Sequence, residues 1–164
     1  MMPGLSDDLQ MIDDKRKTAV IDAELTRLQV DIAALQETRL ANDGSLQEQQ
    51  YTFFWKGKAQ DERREYGVGF AVKTSLLPMI EPPTDGTERL LSLRLNSRNG
   101  PVNFVAVYAP TLNSSPEAKD QFYSELDRFI GQLPQTEDIY LLGDFNARVG
   151  TDHDAGLHVL VTTV

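Results

Sequence analysis

In the stretch LLGDFNARVG, Leu141 to Gly150, two apolar residues run into a glycine, and then a carboxylate and a carboxamide stand two positions apart, at Asp144 and Asn146. Side chains two apart on an extended segment point the same way, so this pair can share one pocket. A carboxylate can orient or deprotonate a water, while an amide can donate to a phosphate oxygen and accept from that same water. Two other apolar runs end on residues that suit the same chemistry: VDIAALQ is followed by Glu37, and VNFVAV by Tyr108. Glutamate offers a hard oxygen ligand to Mg²⁺, which takes one or two carboxylates and completes its shell with water and substrate phosphate. Together the four residues outline metal-assisted hydrolysis of a phosphodiester. Each also has a plainer reading: Glu37 as a solvated turn residue, GDFN as a turn that bonds its own backbone, Tyr108 as a half-buried aromatic at a strand end.

Chemistry at strand ends requires strands, and the chain supplies them in a definite order. Residues 1–16 carry little periodicity and read as a flexible or incomplete arm. From Lys17 the spacing of Ile21, Leu25 and Leu28, with Asp22, Glu24 and Arg27 between them, predicts an amphipathic helix. Val30 to Gln36 then reads as a short apolar strand, and ANDGS as a polar turn. YTFFWK, GVGFAV, RLLSLRL and VNFVAVY are aromatic or β-branched runs separated by Gly, Pro and Asp, and read as four more strands. Ser115 before Pro116 has the form of a helix N-cap with proline in the first turn, and Phe122, Leu126, Phe129, Ile130 and Leu133 repeat at helical spacing, so a helix is expected over 116–133. DIYLLGD is a strand again. Helix, strands, helix, strand favours a mixed sheet packed on helices, an α+β arrangement, over an all-β barrel. Strand ends are where such sheets usually place their ligands.

Composition narrows the field. A chain of 164 residues fits one domain and is long enough to bury about two thirds of its unfolded surface. With no cysteine, there is no disulfide framework and no thiolate metal site, and an intracellular home is the default. Neither a signal-peptide core nor a run of about 20 apolar residues is present, so a soluble protein with no membrane contact is expected. The 25 acids against 16 bases argue against binding nucleic acid by bulk charge, so any phosphate contact must be local. That acidity suits a site where carboxylates converge on a divalent cation. Lys56, Lys58, Arg63 and Arg64 near Trp55 can be read as a nucleic-acid contact, but Asp61, Glu62 and Glu65 interleave with them and favour a solvated hairpin face. Arg148 is either a phosphate contact or an exposed turn residue.

ALQETRL (Ala34 to Leu40), GVGFAV (Gly67 to Val72), VAVYAPT (Val105 to Thr111) and YLLGDFNARVG (Tyr140 to Gly150), in this order, resemble the endonuclease/exonuclease/phosphatase superfamily. The closer likeness is to the endonuclease domains of LINE-type retrotransposons and to craniofacial development protein 2-like sequences. It covers residues 17–154 as a partial domain and leaves 155–164 as an atypical tail. The resemblance implies a four-layer α/β/β/α sandwich that cleaves phosphodiesters with a divalent metal, Mg²⁺ or in its place Mn²⁺, with DNA as substrate and no small-molecule cofactor. By the same resemblance Glu37 is a metal ligand, Tyr108 hydrogen-bonds the scissile phosphate, Asp144 orients or activates the attacking water, and Asn146 supports it.

Two departures accompany the match. Family members open with a strand ending in a metal-site asparagine, whereas this sequence begins MMPGLSDD. They close with a Ser-Asp-His motif after a second half of sheet and helix, whereas this chain stops at Val164 and offers only the dipeptide Asp152-His153 and, further on, His158. A positioned acid or base contributes about 10²- to 10⁴-fold in rate, and a metal several kcal/mol. A chain read as C-terminally truncated is therefore expected to be a poor catalyst. The readings that stand beside a DNA endonuclease are a non-catalytic retrotransposon remnant acting as an interaction module, and a phosphatase of small molecules with the same fold.

Overall fold

The computed structural model describes residues 5–36, 38, 43–57, 67–83, 85–145 and 157–160. The first helix, α1 (Leu5–Leu28), starts well before Lys17, so part of the expected arm is helical. Leu5 to Arg16 contains neither glycine nor proline, and a helix nucleated further along extends through such a run at little cost. Ile21 and Leu25 pack against Tyr51, Phe53 and Ala71 as their spacing requires. Leu28 instead is exposed, because the chain turns away at Gln29, whose φ is 55°. Asp22, expected on the polar face, is buried: its carboxylate accepts the backbone N–H groups of Gln50 and Tyr51, both at 2.9 Å.

Those bonds tie α1 to a four-stranded antiparallel sheet of β1 (Ile32–Gln36), β2 (Asp43–Gln47), β3 (Tyr51–Lys56) and β4 (Val68–Lys73), in the order β1-β4-β3-β2. β2 occupies part of the stretch expected to be a turn. Its glycine explains why: a Cβ at Gly44 would overlap the indole of Trp55, so Gly44 lets that ring lie across the strand. An edge strand paired to one neighbour needs no apolar alternation.

A 3₁₀ helix, Thr74–Met79, leads into the second sheet: β5 (Ile80–Glu81), β6 (Leu90–Ser97), β7 (Gly100–Tyr108), β8 (Asp138–Asp144) and β9 (Leu157–Leu160), in sequential order. β5, β6 and β7 are antiparallel, while β8 runs parallel to β7 because helix α2 (Pro116–Gly131) carries the chain back across the sheet. Ser115 caps α2 through its Oγ, which accepts the N–H of Ala118 at 3.2 Å, with Pro116 in the first turn as expected.

Side-chain alternation sorts the layers. Phe70, Val72, Leu91, Leu93, Ala106, Tyr108 and Leu142 form the core between the two sheets. Val105, Val107, Ile139, Leu141 and Phe145 face the other way and pack on Phe122 and Leu126 of α2, with Phe129, Ile130 and Leu133 beside them. With α1 on the outer face of the first sheet, the result is the four-layer α/β/β/α sandwich that the resemblance implied.

Candidate active site at the converging strand ends

Because β7 and β8 are parallel, their C-terminal ends lie together, and the last pair of their register is Tyr108 with Asp144. Tyr108 is buried in the inter-sheet core, and its ring carries the guanidinium of Arg89 at 5.4 Å from the centroid. Arg89 and Tyr108 are further joined by two backbone-directed bonds: Tyr108 N–H donates to the Arg89 carbonyl at 2.9 Å, and Arg89 Nη1 to the Tyr108 carbonyl at 3.0 Å. A cation over an aromatic face attracts its quadrupole and holds the ring's orientation. The sequence reading missed Arg89. Its signal is a charge at the mouth of the strand RLLSLRL, which acquires meaning only from the antiparallel register of β6 with β7.

The first sheet reaches the same place. Gly143, just before Asp144, has φ +149°, and a Cβ there would overlap the Val107 carbonyl and crowd the side-chain amide of Gln36. The end of β1 therefore sits against the end of β8, with the glycine of the GDFN motif as the point of approach. Beyond β1, Thr38 N–H donates to the Gly67 carbonyl at 3.3 Å. Among the described residues, Thr38 Oγ1 is a buried side-chain oxygen with no hydrogen-bond partner.

Of the four residues singled out in the sequence, Tyr108 stands where it was expected, at the end of β7. Asp144 is the last residue of β8. Glu37 and Asn146 lie outside the described residues, as do Arg148, His153, Lys58, Arg63 and Arg64. Lys56 pairs with Asp43 at 3.0 Å and Trp55 covers Gly44, while Asp61, Glu62 and Glu65 also lie outside the described residues. Among the described residues, no three of His, Cys, Asp and Glu gather as a metal-binding group. None of the described helices is long and apolar enough to cross a membrane.

Beyond Asp144 the chain turns toward α2. The ring of Phe145 is buried beside Phe122 and Leu126, and its carbonyl accepts the Tyr123 hydroxyl at 3.1 Å. Burial raises the Tyr123 phenol above its ordinary pKa, so it remains a donor through neutral pH. On the far side of the first sheet, a cleft of about 450 Å³ between α1 and the strands is walled by Ile21, Leu35, Phe53 and Trp55 and reaches Gln36 and Thr38.

Two facing sheets with helices on both outer faces place this chain among four-layer α/β/β/α sandwiches. The chain belongs to the endonuclease/exonuclease/phosphatase family, whose model matches residues 9–155. It is 25% identical over 141 residues to craniofacial development protein 2 from Bos taurus, and equally to that from Tragulus javanicus. Each match covers 86% of this chain and 24% of the relative, so the chain spans about a quarter of the length of these curated relatives. Among solved structures, that of a truncated Caenorhabditis elegans TDP2 is similar with a TM-score of 0.49 and 17% identity, over 83% of this chain and 58% of that one.

Proposed function

We propose that the chain carries a divalent-metal-dependent phosphodiesterase site of endonuclease type acting on DNA. The observation that supports it is the approach of the Gln36 amide to Gly143, because the residues following these two in sequence are Glu37 and Asp144. Tyr108, in register with Asp144, adds a hydroxyl-bearing ring at the same end. Membership of the family supports hydrolysis, and its enzymes are typically metal-dependent.

The donor chemistry fits a hard cation. Every candidate ligand offers oxygen, and Thr38 adds a buried hydroxyl that has no partner among the described residues. Glu37 would hold Mg²⁺, or Mn²⁺ in its place, with water and substrate phosphate in the remaining positions. When bound, the ion polarises the phosphoryl oxygen and offsets charge developing on it. The chain's own residues do the rest. Asp144 orients the attacking water and takes its proton, Asn146 holds that water or a phosphate oxygen, and Tyr108 donates to the scissile phosphate.

The test is nicking of supercoiled plasmid. We expect cleavage in Mg²⁺ that EDTA abolishes, and a fall of at least about 10²-fold in Glu37→Ala and in Asp144→Ala. No nicking at high protein concentration would sink the reading. The apolar cleft beneath α1 favours, as a second reading, a non-catalytic interaction module. Hydrolysis of p-nitrophenyl phosphate without nicking would point instead to a small-molecule phosphatase.

A further inference from the structure

The ladder between β7 and β8 ends at Tyr108 and Asp144, and that between β8 and β9 ends earlier, at Leu142 and Leu160. Beyond that point the sheet no longer determines where the chain goes. Yet the phosphodiesterase reading needs Asp144 and Asn146 held in fixed relation, and Phe145 lies between them. Two contacts from α2 act on Phe145. Its ring is buried in one cluster with Phe122 and Leu126, and its carbonyl is held by the Tyr123 hydroxyl. The Tyr123 ring stands edge-on to Phe122 with centroids 5.2 Å apart, so the hydroxyl reaches the carbonyl from a braced position, although the residue is 37% exposed.

We infer that Tyr123 is a positioning residue for the candidate active site, its hydroxyl fixing the backbone between Asp144 and Asn146 after the strand has left the sheet. This rests on the phosphodiesterase reading of that site. The physical case is that a carbonyl emerging at a strand end needs a donor. A phenol on a helix packed against the sheet supplies one without adding a charge beside the carboxylates. The helix is itself fixed at its start by Ser115 and Pro116, so Tyr123 transmits the position of α2 to the catalytic segment. Small misplacement of a catalytic group is costly, since about 1 Å can lower a rate by about 10²-fold.

The variant Tyr123→Phe removes one oxygen and keeps the ring. In the full chain with Mg²⁺ and supercoiled plasmid, we expect kcat to fall about tenfold or more while KM stays unchanged. Hydrogen exchange should quicken in peptides spanning 143–148 and stay unchanged in those from β6 and β7. Gln121→Ala, an exposed change on the same helix face as its partner Glu125, should alter neither reading. Unchanged kcat, or unchanged exchange in 143–148, overturns the inference. A melting temperature lowered together with faster exchange throughout the sheet also overturns it, since the hydroxyl would then serve general stability. If the unsubstituted chain does not nick at all, the phosphodiesterase reading falls. In that case exchange alone decides whether Tyr123 anchors the segment.

Discussion

A methyl group at position 143 has nowhere to go. The Val107 carbonyl and the Gln36 amide fill the space, and the backbone sits at a φ of +149°, a conformation that residues with a Cβ rarely adopt. Gly143→Ala should therefore destabilise the protein by about 2–4 kcal/mol, read from the urea midpoint, and should also push β1 away from β8. This residue was visible in the sequence as the glycine of a motif, but its reason was not, because the crowding comes from two strands distant along the chain. Tyr108, Asp144, Asn146 and Glu37 stood out in the sequence for a simpler reason: polar residues that close apolar runs are conspicuous by type, and of these Tyr108 and Asp144 do close β7 and β8. Arg89 and Tyr123 were not legible. One looks like a surface arginine before a strand and the other like a polar-edge aromatic of a helix, and only their partners reveal a role. Asp22 reads as a helix's solvent face until the β2–β3 turn places two N–H groups in front of it.

Helix α2 shows what an element's own sequence can specify. Its apolar stripe, its serine cap and its first-turn proline are all local signals, and the helix forms where they place it. Ser115→Ala removes the acceptor for the Ala118 N–H and should cost about 1 kcal/mol, seen as a fall of several degrees in melting temperature. The fold should survive, since Phe122 and Leu126 remain buried against Leu141 and Val105. α1 and β2 are the elements that local signals misjudged. α1 extends through a stretch with no periodicity because nothing in it stops a helix. β2 forms from polar residues because β3 offers a ladder and Trp55 needs a glycine beneath it.

At the scale of the whole molecule, a polar network joins the end of the sandwich opposite the candidate site. Arg94 of β6 grips Glu137 through Nε, at 3.0 Å, and Nη2, while its Nη1 reaches Glu81 of β5 at 2.7 Å. The buried Asn103 of β7 donates to the same Glu137 carboxylate at 2.7 Å. Hydrogen bonds from Arg94 and then Asn103 lower the Glu137 pKa below its ordinary 4.5. A carboxylate depressed in the folded state stabilises it above the unfolded pKa, and that contribution is lost as pH falls through the folded value. Stability should thus drop as pH falls below about 4.5, and Glu137→Gln, which cannot titrate, should flatten the dependence in an acid titration followed by circular dichroism.

The sequence alone determined the strands of the core, the apolar stripe of α2, the acidic and cysteine-free character, and the residue types offered for catalysis. These are local properties, set by periodicity, capping and side-chain chemistry. Only the tertiary structure decided that β1 of one sheet abuts β8 of the other at Gly143, that Arg89 lies over Tyr108, and that Tyr123 holds the chain after Asp144. Such contacts join residues tens of positions apart. They arise from strand register and sheet-on-sheet packing, which no local window of sequence contains.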